Sequence, residues 1–166
     1  MFLEEIQNNH TGLLIKYYNN DDIYPLLPLL SQEFPNWTLD KIKNYVKIVI
    51  SNKRDIAGML VAQNEAMYYV GLLIYTFQSI STELIGNTKK NQFENGIVVE
   101  NLIASSPILQ KQVFFLLIES IVNIAKNNNC KFIELPKIDE TYELIKEKYK
   151  NQITHHNNFR IFIKLN

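Results

Sequence analysis

The chain has 166 residues, of which 46% are hydrophobic and 20% are charged, so its size and composition are those of a globular domain rather than a disordered segment. Lysine plus arginine and aspartate plus glutamate number 17 each. This balance argues against a protein that binds nucleic acid through a broad basic face. The lone Cys130 excludes an internal disulfide and a multi-cysteine zinc site, and we expect no metal site.

The first part of the sequence predicts a leader, one strand and two helices. Residues 1–10 are polar and unpatterned, so we expect a loose leader ahead of a single domain at 11–166. Apolar and aromatic residues predict a strand over 12–18, and helical spacing predicts a helix over 23–34 whose prolines lie in its first turn. After a proline break, Thr38 is placed to cap a second helix. The inward stripe of that helix consists of Ile42, Tyr45, Val46, Val49 and Ile50.

The second part predicts, in order, a hairpin, a strand, a long helix, a strand, a short helix and a last strand. These elements cover residues 56–62 and 67–78, 97–104, 109–127, 131–136, 141–149 and 159–165. Two helices therefore lie between the first and second strands, and helices alternate with strands after residue 97. This order predicts a mixed α/β domain.

The segment 97–135 carries the most specific pattern. Glu100-Asn101-Leu102 lies on the fourth predicted strand, Leu117-Ile118-Glu119 lies on the long helix, and Asn129-Cys130 follows it. These residues resemble the GNAT superfamily of N-acetyltransferases, whose members carry Glu-Asp-Leu, Leu-Leu-Glu and Gly-Cys at the corresponding places. The resemblance implies a GNAT-like mixed, mostly antiparallel central sheet flanked by about four helices. It also implies a possible homodimer that pairs through the last strands.

The same resemblance implies an acetyl-CoA site between the fourth strand and the long helix. Family members have an Arg/Gln-x-x-Gly-x-Gly/Ala turn there, whose backbone N–H groups bind the cofactor's diphosphate at a helix N-terminus. On this chain the turn falls on Leu109, Gln110, Lys111, Gln112, Val113 and Phe114. Gln112 and Phe114 replace the family's small residues. Either the cofactor lies differently, with Ser105, Ser106 and Lys111 helping, or CoA does not bind here.

Glu100 and Tyr149 are the catalytic residues that the resemblance implies. A glutamate on the fourth strand acts as the general base that deprotonates the amine in several relatives, whereas the alternative for Glu100 is a strand carboxylate that faces solvent. Relatives often use a tyrosine to protonate the leaving thiolate. One extra loop residue places Tyr149 there, while direct alignment places Ile145, and the alternative for Tyr149 is a packing role. A bulge near Leu102, Ile103 and Ala104 would free a backbone N–H for the thioester oxygen.

Glu33 and Trp37 are expected on the acceptor side, because carboxylates and an aromatic ring suit a cationic amine. The alternative for Trp37 is a plug at the end of the core. The resemblance thus implies an acetyl-CoA-dependent N-acyltransferase acting on a small-molecule or protein amine. The alternative is a catalytically lapsed GNAT-like fold that acts as a binding or oligomeric module. Since neither a signal-peptide pattern nor a membrane-length apolar run is present, we expect a cytoplasmic protein without membrane or nucleic-acid partners.

Overall fold

The computed structural model describes residues 6–8, 12–20, 22–53, 56–81, 92–156 and 159–165. Its strands are β1 (Ile6–Asn8), β2 (Leu13–Tyr17), β3 (Ala57–Asn64), β4 (Tyr69–Ser81), β5 (Phe93–Ala104), β6 (Phe132–Pro136), β7 (Ile153–His156) and β8 (Arg160–Lys164). Its helices are α1 (Leu27–Glu33), preceded by a 3₁₀ turn at Tyr24–Leu26, α2 (Leu39–Ser51), α3 (Pro107–Asn127) and α4 (Asp139–Lys148). The fourth predicted strand corresponds to β5.

All described strands form one eight-stranded sheet with the order β1-β2-β3-β4-β5-β6-β8-β7. Every neighbouring pair in it is antiparallel except β5 and β6, which run parallel. The α3 helix connects these two strands, as a parallel crossover requires. The mixed, mostly antiparallel sheet with four helices confirms the fold class that the resemblance implied.

The two faces of the sheet have separate hydrophobic cores. On one face, α1 and α2 cover strands β3 and β4 through residues such as Leu30, Val46 and Leu72. On the other face, α3 and α4 pack with residues such as Leu117 and Ile133. Each fully buried aliphatic side chain of this kind stabilises the fold by about 1.5–3 kcal/mol relative to exposure. The division means that a side chain on a strand belongs either to the α1–α2 face or to the α3–α4 face.

The two longest helices begin at sequence signals for helix starts. The Thr38 side chain accepts a hydrogen bond from Lys41 N at 3.3 Å at the start of α2, which confirms the predicted cap. Ser106 caps α3, with Pro107 at the first helical position. Among the described helices, α3 alone has the length and apolar composition of a membrane span, but 56% of its most apolar window is buried inside the fold. A central core helix has the same properties.

Two strands were not predicted. Ile6–Asn8 pair with β2, although this segment falls in the expected leader. Residues 1–5, 9 and 10 of that leader lie outside the described residues. Gly12, directly before β2, has a φ of 63°, which suits glycine. β7 pairs with β8 in a stretch rich in His and Asn, which carries no strand pattern. The predicted helix over 23–34 divides into a 3₁₀ turn and α1, because prolines occupy the start of both.

Candidate functional site

The parallel strands β5 and β6 separate along their length. They pair only at Gly96↔Phe132, Ile97↔Ile133 and Val98↔Glu134, whereas β5 continues to pair with β4 as far as Ala104. The Phe132 ring lies where a side chain at position 96 would stand, so glycine allows the close approach just before the strands part. Within the described sheet, the β6-facing edge of β5 is therefore open beyond Val98. We call this opening the β5–β6 cleft.

A β-bulge lies in β5 at Glu100. Ile74 pairs with Asn101 and the next residue, Tyr75, pairs with Val99, so Glu100 is the extra residue. A bulge near Leu102–Ala104 would have freed a backbone N–H there; the structure places the bulge two residues before Leu102, at Glu100. The physical reason is that Glu100 is a charged residue within a buried strand, and the bulge lets its side chain reach solvent, where it is exposed.

The bulge places the side chains of Glu100 and Asn101 on the same face of the sheet. Thr76 Oγ1 and Gln78 Nε2 donate to the Glu100 carboxylate at 3.0 and 3.3 Å. Tyr45 of α2 donates to Asn101 Oδ1 at 3.0 Å. Since Tyr45 packs with the α1–α2 core, Asn101 and the adjacent Glu100 belong to that face. The strand carboxylate is thus held by two hydrogen bonds while it remains exposed.

A second carboxylate joins this cluster from α1. Asn101 Nδ2 donates to Glu33 Oε1 at 3.1 Å. Burial raises the pKa of Tyr45, and the nearby negative charges of Glu100 and Glu33 raise it further. Glu33 and Glu100, both predicted site residues, are therefore close enough to Tyr45 that both raise the pKa of its phenol. The structure brings them together across α1 and β5.

Trp37 lies beside this cluster in a group of aromatic rings. Its ring stacks on Phe34 at 4.3 Å between centroids and meets Tyr45 edge-on at 5.6 Å. The Lys41 ammonium lies 4.1 Å from the Trp37 centroid. The faces of Trp37 are therefore covered by Phe34 and Lys41, so an acceptor ammonium could take the place over this ring only by displacing Lys41.

Arg160 of β8 reaches the cleft at the point where the strands part. Its Nε lies 2.5 Å from Glu134 Oε1 of β6, and its Nη2 donates to the Val99 carbonyl of β5 at 3.0 Å. Sequence reasoning missed this residue, because 61 positions separate Arg160 from Val99. The one available signal was the scarcity of arginine, since the chain contains only Arg54 and Arg160.

The segment predicted to bind the diphosphate, residues 109–114, lies inside α3, in agreement with the helix predicted over 109–127. β5 ends at Ala104 and α3 begins at Pro107, so the connection between them has no room for such a turn. The first two turns of α3 contain Leu109, Gln110, Lys111, Gln112, Val113 and Phe114. A capping serine and a proline start this helix two residues before Leu109, and no glycine follows to interrupt it.

The N–H groups at the start of α3 are largely occupied by the protein itself. Pro107 has none, Ile108 N donates to Ser106 Oγ at 3.2 Å, and Leu109 N donates to Ser106 O at 3.2 Å. The amides that follow lie inside the helix, where each N–H donates to the preceding turn. These residues therefore do not present the group of free donors that a diphosphate requires.

Five of the predicted cofactor-binding residues have buried side chains. Val113 is 0% exposed and Phe114 is 3% exposed, and both belong to the core under the sheet. Leu102, Ile103 and Ala104 are buried as well. Of the residues predicted to bind the cofactor, Leu102 and Ala104 direct main-chain groups toward the open edge of β5, where the Ala104 carbonyl accepts from Gln32 Nε2 at 3.4 Å, while Val113 and Phe114 are core residues.

Tyr149, the predicted general acid, is engaged elsewhere. Its hydroxyl donates to Glu119 Oε1 of α3 at 2.8 Å, and Lys148 pairs with the same carboxylate at 2.5 Å. Burial raises the pKa of Tyr149 above its ordinary value, and the Glu119 hydrogen bond and charge raise it further. The ring packs in the α3–α4 core, on the opposite face from Tyr45. These contacts agree with the alternative role for Tyr149, which is packing in the core.

The architecture is similar to that of solved acetyltransferases. A GNAT-family acetyltransferase from Staphylococcus aureus matches with a TM-score of 0.60 at 16% identity, over 79% of this chain and 90% of that one. An acetyltransferase from Trypanosoma brucei matches with 0.61 at 15% identity, over 88% and 95%. An aminoglycoside 6'-N-acetyltransferase from Acinetobacter baumannii matches with 0.62 at 12% identity, over 88% and 95%.

No protein-family model and no curated protein sequence matches the chain. The likeness therefore lies in the three-dimensional structure, where it extends over most of each chain. It defines the fold: the chain has the GNAT acetyltransferase fold, as its resemblance implied.

Proposed function

We propose that the protein is an N-acyltransferase that transfers an acetyl group to a small-molecule or protein amine. The observation that carries this proposal is the combination of the open β5–β6 cleft with the exposed Glu100 carboxylate on the bulge beside it. A general base for amine acetylation must reach the ammonium proton directly or through one water. Glu100 is exposed and is held by Thr76 and Gln78, so it suits that role.

The residues on the α1–α2 face would bind the acceptor. Glu33 and Glu100 supply two negative charges near the Asn101 amide, which attract a cationic amine and orient it toward the cleft. Glu100 then accepts a proton from the ammonium, which leaves a neutral amine as the nucleophile. In this proposal Trp37 forms the wall of the acceptor site together with Phe34, rather than contacting the ammonium through its ring face.

The structure suits one part of acetyl-CoA and not another. When bound, the cofactor supplies the acetyl group as a thioester. The main-chain edge of β5 at Leu102 is not paired with β6 and is suited to an extended chain with amide groups, such as the cofactor's arm, whereas the Ala104 carbonyl already accepts from Gln32 Nε2 at 3.4 Å. The start of α3 is not suited to the diphosphate, because Ser106 occupies its first donors. Lys111, which is exposed on α3, is the charged side chain that would remain for it.

The proposal is tested by acetyl transfer to a panel of mono-, di- and polyamines and to lysine peptides. Glu100→Gln is expected to lower kcat by about 10²–10⁴-fold, the range for loss of a general base. Glu147→Gln, an exposed glutamate on α4, is the matched control and should retain full activity. Transfer by Glu100→Gln at the wild-type rate would exclude Glu100 as the base.

The second candidate function is a GNAT-like fold without catalysis, acting as a binding or oligomeric module. The closed start of α3 is the specific observation that favours it, since loss of diphosphate binding would remove the cofactor. Isothermal titration with acetyl-CoA and CoA separates the two candidates. Binding in the micromolar range supports the transferase, whereas no binding up to millimolar concentration supports the module.

A further inference from the structure

Arg160 joins three strands of the sheet at one point. It begins β8, forms an ion pair with Glu134 of β6 and donates to the Val99 carbonyl of β5. The side chains of Arg160 and Glu134 are 26% and 18% exposed, so the pair is partly withdrawn from solvent. A guanidinium has a planar array of five donors, which allows one side chain to serve both partners at once.

The Val99 carbonyl lies between the paired region of β5 and the bulge, which is why the contact with Arg160 bears on the proposed site. Strand pairing between β5 and β6 ends at Val98↔Glu134, so Val99 is the first residue of β5 beyond the paired region. It is also the residue immediately before the bulged Glu100. The Arg160 guanidinium therefore binds β5 between the end of its pairing with β6 and the residue proposed as the base.

We infer that Arg160 is a positioning residue for Glu100, a role that rests on the proposed function. By holding the Val99 carbonyl and Glu134 together, Arg160 fixes the point at which the strands part and the peptide from which the Glu100 side chain projects. Lysine at position 160 could keep an ion pair with Glu134, but a single ammonium lacks the planar donor array that reaches Val99 at the same time. The orientation of Glu100 would then no longer be fixed.

The experiment compares Arg160→Lys with Ile163→Val, a conservative change to a fully buried residue of the same strand. Steady-state kinetics and thermal unfolding are measured for both variants. We expect Arg160→Lys to lower kcat by about 10–100-fold, the scale for a misplaced catalytic group, with KM for the amine and for acetyl-CoA within about twofold of wild type. Ile163→Val should retain wild-type kcat even if its Tm falls as far as the Tm of Arg160→Lys. Equal kcat in both variants would overturn the inference.

Amide hydrogen exchange tests the same inference without activity. The amides of Glu100, Asn101 and Leu102 should exchange at least about tenfold faster in Arg160→Lys, whereas in Ile163→Val they should keep wild-type rates. If the wild type shows no transfer with any amine, the proposed function fails while this measurement still reports on Arg160. If exchange at these three amides is unchanged in Arg160→Lys, the positioning role fails regardless of the kinetics.

Discussion

The bulge and the C-terminal end of the cleft-forming strand β5 differ in how their residues are used. At the bulge, Glu100 and Asn101 project polar groups that hydrogen-bond to α1, α2 and β4 while Glu100 remains exposed. At its C-terminal end, β5 passes through buried residues directly into a capped helix, and its neighbours Val113 and Phe114 fill the core. The first region is arranged as a polar site, whereas the second is arranged as a packed core.

This difference shows that the two regions of β5 place different demands on the sequence. The bulge requires only one extra residue in a strand. A diphosphate-binding turn requires free amides and small residues at defined positions. Bulky residues and an early cap abolish that turn without disturbing the sheet.

Replacement of Phe114 by alanine is the strongest test of the contrast. Because Phe114 is 3% exposed in the core, we expect the free energy of unfolding to fall by about 3–5 kcal/mol. Urea unfolding with linear extrapolation measures this change, and Lys111→Ala, an exposed residue of the same helix, should stay within about 0.5 kcal/mol of wild type. A loss below about 1 kcal/mol would mean that this helix start opens readily, so that the two regions are less different than described.

Ser106→Ala tests the cap itself, with a smaller effect. Loss of the hydrogen bond from Ile108 N to Ser106 Oγ should lower the free energy of unfolding by about 1 kcal/mol. Ser105→Ala serves as the control, since Ser105 is exposed and its side chain does not cap α3. Unchanged stability together with a tenfold loss of acetyl-CoA affinity would instead assign the Ser106 hydroxyl to phosphate binding.

Titration of Tyr45 tests whether Glu100 lies close to α2 in the polar region around the bulge. Burial and the charges of Glu100 and Glu33 raise its pKa, so removal of one negative charge by Glu100→Gln should lower that pKa, because the phenolate becomes less disfavoured. NMR of ¹³C-labelled tyrosine measures the shift. Tyr149 is an internal control, as burial and Glu119 raise its pKa. A pKa of Tyr45 that is unchanged in Glu100→Gln would place Glu100 farther from α2.

Local signals in the sequence predicted most of the fold. Thr38 marked the start of α2 because its side chain is a good cap, and the spacing of Ile42, Val46 and Val49 marked the buried face. The Ser106-Pro107 pair also marks a helix start, and it is a better guide than the family's turn pattern, which falls on residues already inside the helix. β1 and β7 were missed because short edge strands depend on their pairing partners rather than on their own composition.

The candidate site was only partly predictable. Glu100 and Glu33 were chosen from their residue types and positions, but alternation could not determine which face Glu100 occupies, because a bulge changes that pattern. Arg160 and Glu134 meet Val99 through strand order, which places β8 beside β6 and β6 beside β5. Contacts of this kind arise from topology, and a single sequence does not show them.

The apolar character of α3 has a consequence for synthesis of the chain. This helix is buried by strands on one side and by α4, which is translated later, on another. A nascent polypeptide that has left the ribosome only as far as Asn127 already contains β2–β5, but it would expose the apolar side of α3 that α4 later covers. Such an intermediate is prone to aggregation, so we expect chaperone demand to stay high until α4 has emerged.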